Sequence, residues 1–113
     1  MTPRQAVQAL NKYGSPAVLA HPRYCKDLPT VLAEVKDSGA AGMEVYYKDS
    51  DEALVASMAA LAKQYGLLPL GGSDYHALPR PDEREPGNIP LPDSVARAFL
   101  EQQLPWVPTR GLT

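Results

Sequence analysis

Apolar residues in this chain fall by turns into helical stripes and short unbroken runs. After Thr2 and Pro3, which read as an N-cap with proline at the first helical position, Ala6, Val7, Ala9, Leu10 and Tyr13 form a stripe that stops at Gly14. Residues 17–20 (Ala-Val-Leu-Ala) are a continuous apolar run of the kind buried on both faces of a parallel sheet, cut off by His21-Pro22. Leu28, Val31, Leu32 and Val35 mark a second helix, opened by Asp27 or Thr30 and closed at Ser38-Gly39. Gly42-Met43-Glu44-Val45-Tyr46-Tyr47 reads as a strand. A third helix follows, capped by Ser50 or Asp51, with Leu54, Val55, Met58, Leu61 and Ala62 on one face and an end at Tyr65-Gly66. Residues 67–70 (Leu-Leu-Pro-Leu) predict a third, buried strand, and Val95, Ala96, Phe99 and Leu100 a last helix over about residues 93–103. Helix and strand alternate with short links, which predicts an α/β fold of parallel strands joined by crossover helices.

Between the third strand and the last helix, residues 77–92 are rich in proline and charge and predict an irregular loop. The chain holds twelve prolines in 113 residues, and Pro105 and Pro108 mark a second irregular stretch. At 44% hydrophobic and 21% charged, the composition is that of one globular domain. A net charge of −2 gives no electrostatic ground for binding duplex DNA or an anionic membrane. No apolar run approaches a membrane span, and the N-terminal residues continue into an amphipathic helix without a signal-peptide core. The single cysteine, Cys25, excludes an internal disulfide and fits a reducing, cytoplasmic setting.

The candidate chemistry gathers where the strands end. Gly71-Gly72-Ser73-Asp74-Tyr75-His76 follows the third strand, and a kink there would let Asp74 and His76 reach one point. A hard carboxylate oxygen and a borderline imidazole nitrogen suit a divalent ion. The same triplet also fits a plain turn in which Asp74 caps the backbone and His76 is merely exposed. His21 ends the first strand, so a parallel sheet brings both histidines and Asp74 to one edge, and that convergence favours a metal site. Glu44 is open to three readings: solvent-facing, buried with a partner, or an accessory ligand or base. Tyr46 and Tyr47 read as packing and pocket wall. Arg23 and Lys26 are either phosphate contacts or solvated charges. Cys25 reads as an inert thiol and Ser73 as a backbone cap, since no nucleophile elbow surrounds it.

Four segments in order resemble the PHP (polymerase and histidinol phosphatase) phosphoesterases: Ala17 to Pro22, the strand Gly42 to Tyr47, Tyr65 to Leu68 with Gly71 to His76, and Gly87-Asn88-Ile89-Pro90-Leu91-Pro92. The similarity runs over residues 1–92, with 93–113 a terminal helix and tail, and is greatest to the small nucleotide- and RNA-directed members. It implies the last three β/α units of a distorted (β/α)7 barrel with a metal cluster at the strand ends. It implies His21, Asp74 and His76 as ligands of Mn, Fe or Zn, and Arg23 and Tyr46 as contacts to a phosphorylated small molecule or short RNA. Members of that family begin with an H-x-H motif, and no histidine precedes His21 here. The chain therefore resembles the C-terminal part of a PHP domain: a truncation, a fragment, or one piece of a split protein whose missing half lies on another chain. Three strands cannot close a barrel, so an open sheet edge is expected, along with weak metal binding and little activity alone. Two rival readings are a non-catalytic remnant that binds a partner through that edge and an amidohydrolase-like C–N hydrolase. The latter is disfavoured because no lysine or paired histidines end a strand.

Overall fold

The computed structural model describes residues 1–101 and is an α/β fold with a three-stranded, all-parallel sheet. Helix α1 spans Pro3–Lys12 and opens on a reciprocal cap: Thr2 Oγ1 accepts from Gln5 N, and Gln5 Oε1 accepts from Thr2 N. It ends at Gly14, whose φ of 75° reverses the chain. Strand β1 is Val18–Leu19, α2 Leu28–Asp37, β2 Gly42–Tyr47, α3 Glu52–Gln64, β3 Leu68–Gly72 and α4 Asp93–Leu100. Asp51 caps α3 by accepting from Leu54 N at 2.7 Å. Asp27, by contrast, precedes α2 at a φ of 53° and makes no side-chain cap bond. The residues expected to extend the last helix to 103, and the tail with Pro105 and Pro108, lie outside the described residues.

The sheet order is β1-β2-β3, so β2 is central. Its register on β3 slips between Glu44 and Tyr46, leaving Val45 as an extra residue, and Tyr47 then pairs with Gly72. Leu32, Met43, Val45, Ala62 and Leu67 form the buried centre with Val7 and Val35, which places α1, α2 and α3 over the face of β2 that carries Met43. On the other side, Ala96, Phe99 and Leu100 of α4 face Val18, Glu44 and Leu70 across a cleft of about 420 Å³.

Two expectations for the strands fail. The run at 17–20 is not buried on both faces: only Val18 and Leu19 pair, and Val18 is 38% exposed. It is an edge strand, and an apolar groove of about 460 Å³ lies beside it, lined among others by Met1, Leu10, Val18 and Val31. The third strand starts one residue late, runs on to Gly72, and is half-buried throughout. A sheet of three strands with one short helix on its second face cannot cover that strand fully. Among the described residues, no helix is long and apolar enough to cross a membrane.

Candidate functional site at the strand ends

The three parallel strands deliver His21, Lys48 and Asp74 to one edge of the sheet. His21 follows β1 at a φ of 27° and opens a single 3-10 turn, Pro22–Tyr24. That left-handed backbone is uncommon for a residue with a side chain, and it is held by a charged acceptor: His21 N donates to Glu44 Oε2 at 2.6 Å. Glu44 is thus the half-buried carboxylate with a partner. Room for it comes from Gly72 across the ladder, where a Cβ would overlap Glu44 Oε1.

Asp74 stands two residues beyond β3 at a φ of 53°, which is the kink anticipated between it and His76. Asp74 Oδ2 accepts from the Tyr47 hydroxyl at 2.6 Å, and that bond holds the carboxyl below its usual range. Burial, reinforced by the same bond, pushes the Tyr47 phenol above its ordinary value. His76 Nδ1 lies 2.7 Å from the Asp74 backbone oxygen. A carbonyl only accepts, so in the neutral ring Nδ1 carries the proton and Nε2 keeps its lone pair. His76 N donates to Glu83 Oε2 at 3.0 Å, tying the 77–92 loop to the site. That bond likewise holds the Glu83 carboxyl below its normal range.

Arg23 lies between two aromatic rings. Its guanidinium carbon is 4.9 Å from the centroids of both Tyr24 and Tyr47, and Nη2 donates to the Tyr24 hydroxyl at 2.8 Å. Among the described residues, Arg23 Nε is buried without a hydrogen-bond partner. The His21 ring sits edge-on to Tyr24 at 5.7 Å and to Tyr47 at 6.0 Å. Tyr46 is half-buried against the core, its Cβ close to Gly71. Cys25 lines the groove beside β1.

No family model matches the chain. Over 73 residues, 65% of this chain, it is 40% identical to a curated protein of Eggerthella lenta named phosphoribosyl 1,2-cyclic phosphate 1,2-diphosphodiesterase. The similarity is to a phosphodiesterase. The matched residues span 28% of that protein's length.

The donor set at this edge has the chemistry of part of a metal site. His76 presents Nε2 in the tautomer that ligating histidines use, with Nδ1 bound to a carbonyl behind it. Asp74 has one oxygen bound by Tyr47 and the other, Oδ1, 3.8 Å from His76 Nδ1. Among the described residues, however, no three His, Cys, Asp or Glu side chains are gathered closely enough to hold an ion. His21, Asp74 and His76 therefore share the sheet edge without forming a three-donor site.

Sequence reasoning passed over two residues here. Tyr47, read as packing, supplies the hydroxyl that binds Asp74. Lys48 directly follows β2, so the expectation that no lysine ends a strand fails; its side chain is only 8% exposed, with Nζ 3.5 Å from Asp82 Oδ2. Its charge also depresses the carboxyls of Asp74 and Glu83. A bulge in β2 could have been suspected from glycines at 71 and 72 opposite it, but its position could not.

Proposed function

We propose that this chain is the C-terminal part of a PHP-type, metal-dependent phosphoesterase that hydrolyses phosphate esters. The observation that supports the reading is the kink at Asp74 after β3, with His76 Nδ1 against the Asp74 carbonyl, on the sheet edge where β1 also ends at His21. The 40% identity to a named cyclic-phosphate diphosphodiesterase supports ester hydrolysis over C–N hydrolysis. It favours a phosphorylated ribose derivative as substrate, a class to which nucleotides and short RNA also belong.

His21, Asp74 and His76 would hold Mn, Fe or Zn, jointly with donors outside the described set. Divalent metal bound there would supply Lewis acidity toward water and the phosphoryl oxygens. Glu44 holds the His21 backbone in place. Arg23, clasped by two tyrosine rings, is the candidate contact for a phosphate oxygen, and Tyr46 is a candidate for the wall beside it.

The test is the metal content of the purified chain, with His21→Ala and Asp74→Ala alongside, followed by turnover of a ribose cyclic phosphate. Bound Mn, Fe or Zn lost in both variants is the expected result. A folded chain with no metal above background, and no turnover when Mn²⁺ is added, would refute the reading. The open edge of β1 and its apolar groove would then favour a partner-binding remnant.

A further inference from the structure

We infer that residues 80–84 form a strap clasped by charge across the ends of β2 and β3, one that opens as a local unit when salt screens its ion pairs. Lys48 and Asp49 stand side by side just past β2, and the strap meets them with the signs reversed. Asp82 Oδ2 lies 3.5 Å from Lys48 Nζ, and Arg84 Nη2 donates to Asp49 Oδ1 at 2.6 Å. That order fixes the register, since a slip that set Asp82 against Asp49 would oppose like charges. Between the two pairs, Glu83 turns to the other strand. Its Oε2 accepts from His76 N at 3.0 Å and its Oε1 from Arg80 Nη2 at 3.1 Å. Three consecutive side chains thus tie the loop to two strand ends.

Little else holds this segment. Among the described residues, the backbone hydrogen bonds of 77–91 close within the loop itself, as from Glu83 N to Arg80 O and from Asn88 N to Glu85 O, and none reaches the sheet. From 75 to 88 every residue is exposed except Glu83 and Arg84, so apolar burial contributes almost nothing there. Apolar anchorage begins only at Ile89, which packs over Gly71, and at Leu91, beside α4. At the other end the loop leaves β3 past Ala77, whose φ of 58° is a left-handed conformation that an alanine adopts at a cost. Charge therefore closes the strap against a strained hinge. Exposed pairs such as Arg84–Asp49 weaken with salt, because the Debye length falls from about 10 Å at 0.1 M to about 3 Å at 1 M. When the strap lifts, the Lys48 ammonium loses its one hydrogen-bond partner among the described residues, and His76 N loses its acceptor. The strand-end edge is then uncovered while the core, built of other residues, stays closed.

The experiment compares the 113-residue chain at about 0.05 M and about 1 M NaCl by hydrogen-exchange NMR and by trypsin cleavage after Arg84. Cleavage rates are normalised to an unstructured peptide of the same loop sequence, which removes the effect of salt on the protease. Exchange at His76 and cleavage after Arg84 should each rise about fivefold or more in high salt, with the amides of β2 unchanged. Lys48→Met keeps the apolar stem and removes the ammonium. It should give fast His76 exchange already at low salt and a smaller response to added salt; should that variant fail to fold, the wild-type comparison decides alone. Equal rates at both salt concentrations in wild type would overturn the strap. So would β2 amides that accelerate in step with His76, since that is the mark of global unfolding. Neither result bears on the phosphoesterase reading, which uses none of these ion pairs.

Discussion

Replacing Gly72 by alanine should destabilise the fold through a residue that alanine never replaces, Glu44. The backbone at Gly72 has no positive φ, so alanine meets no conformational penalty there, and the lower entropy of the unfolded chain would by itself stabilise by about 0.5 kcal/mol. The new Cβ, however, occupies the space of Glu44 Oε1 and displaces the carboxylate that accepts from His21 N at 2.6 Å. A hydrogen bond to a charged group contributes about 1.5–3 kcal/mol. His21 is exposed and water can take over its N–H, so the lower end, about 1.5 kcal/mol, applies here. Gly72→Ala should therefore cost about 1 kcal/mol net, and Glu44→Ala about 1.5 kcal/mol. In the double variant the bond is already gone and the methyl has room, so the total should be about 1 kcal/mol, not the additive 2.5 kcal/mol. Urea unfolding followed by circular dichroism reads all four proteins. Additivity within about 0.5 kcal/mol would show that Gly72 does not make room for Glu44 and would refute this account of the His21 backbone.

Three further outcomes are expected. Glu83→Ala removes the acceptor for His76 N and for Arg80 Nη2, so amide exchange at His76 and through residues 77–92 should accelerate at least tenfold in hydrogen-exchange NMR while the sheet amides stay protected. The Tyr47 phenol is held above its ordinary value in the folded state, whereas the unfolded phenol ionises near pH 10; its contribution is therefore complete below about pH 10 and lost as pH rises beyond it. Tyr47→Phe should flatten that alkaline limb, and an unchanged limb in urea midpoints measured from pH 9 to 11 would count against the buried Tyr47–Asp74 bond. Treatment with EDTA should abolish any hydrolysis yet leave the urea midpoint of the chain unmoved, because the described core is closed by side chains alone; a fall in midpoint would make the metal structural.

The elements were legible where the pattern was local. The cap at Thr2, the α3 cap at Asp51 (one of the two candidates) and the stop at Gly14 each depend on a few neighbouring residues, and each stands in the structure where the sequence places it, while the reciprocal bond from Gln5 was not foreseen. Burial of the strands was not legible. Whether Val18 is covered depends on what lies beyond β1, which periodicity within β1 cannot report. The central strand was misjudged at finer grain for a related reason. In Gly42 to Tyr47 every residue but Glu44 is glycine or apolar-bodied, so no alternation marks the bulge at Val45, and the bulge alone distinguishes Tyr46 from Tyr47. The placing of His21, Asp74 and His76 on one sheet edge followed from topology, but no three donors gather there among the described residues. The hydrogen bonds that orient these residues did not follow from it, since each joins residues at least two positions apart through backbone angles that no spacing rule encodes.

Lys48 balances the charge of this acidic edge. Asp74, Asp82 and Glu83 bring three carboxylates to the ends of β2 and β3, and like charges at such range would push the 77–92 loop away. A buried ammonium reverses that balance. Lys48 Nζ lies 3.5 Å from Asp82 Oδ2 and favours the ionised forms of Asp74 and Glu83, while Arg80 bonds Glu83 from the solvent side. A fully buried lysine is retained only with such partners, and here the partners are supplied by the loop itself. The loop is thus drawn onto the sheet by charge, and Glu83 is carried to the His76 amide as a consequence. Lys48 thereby acts in folding, tying the loop to the strand ends through charge.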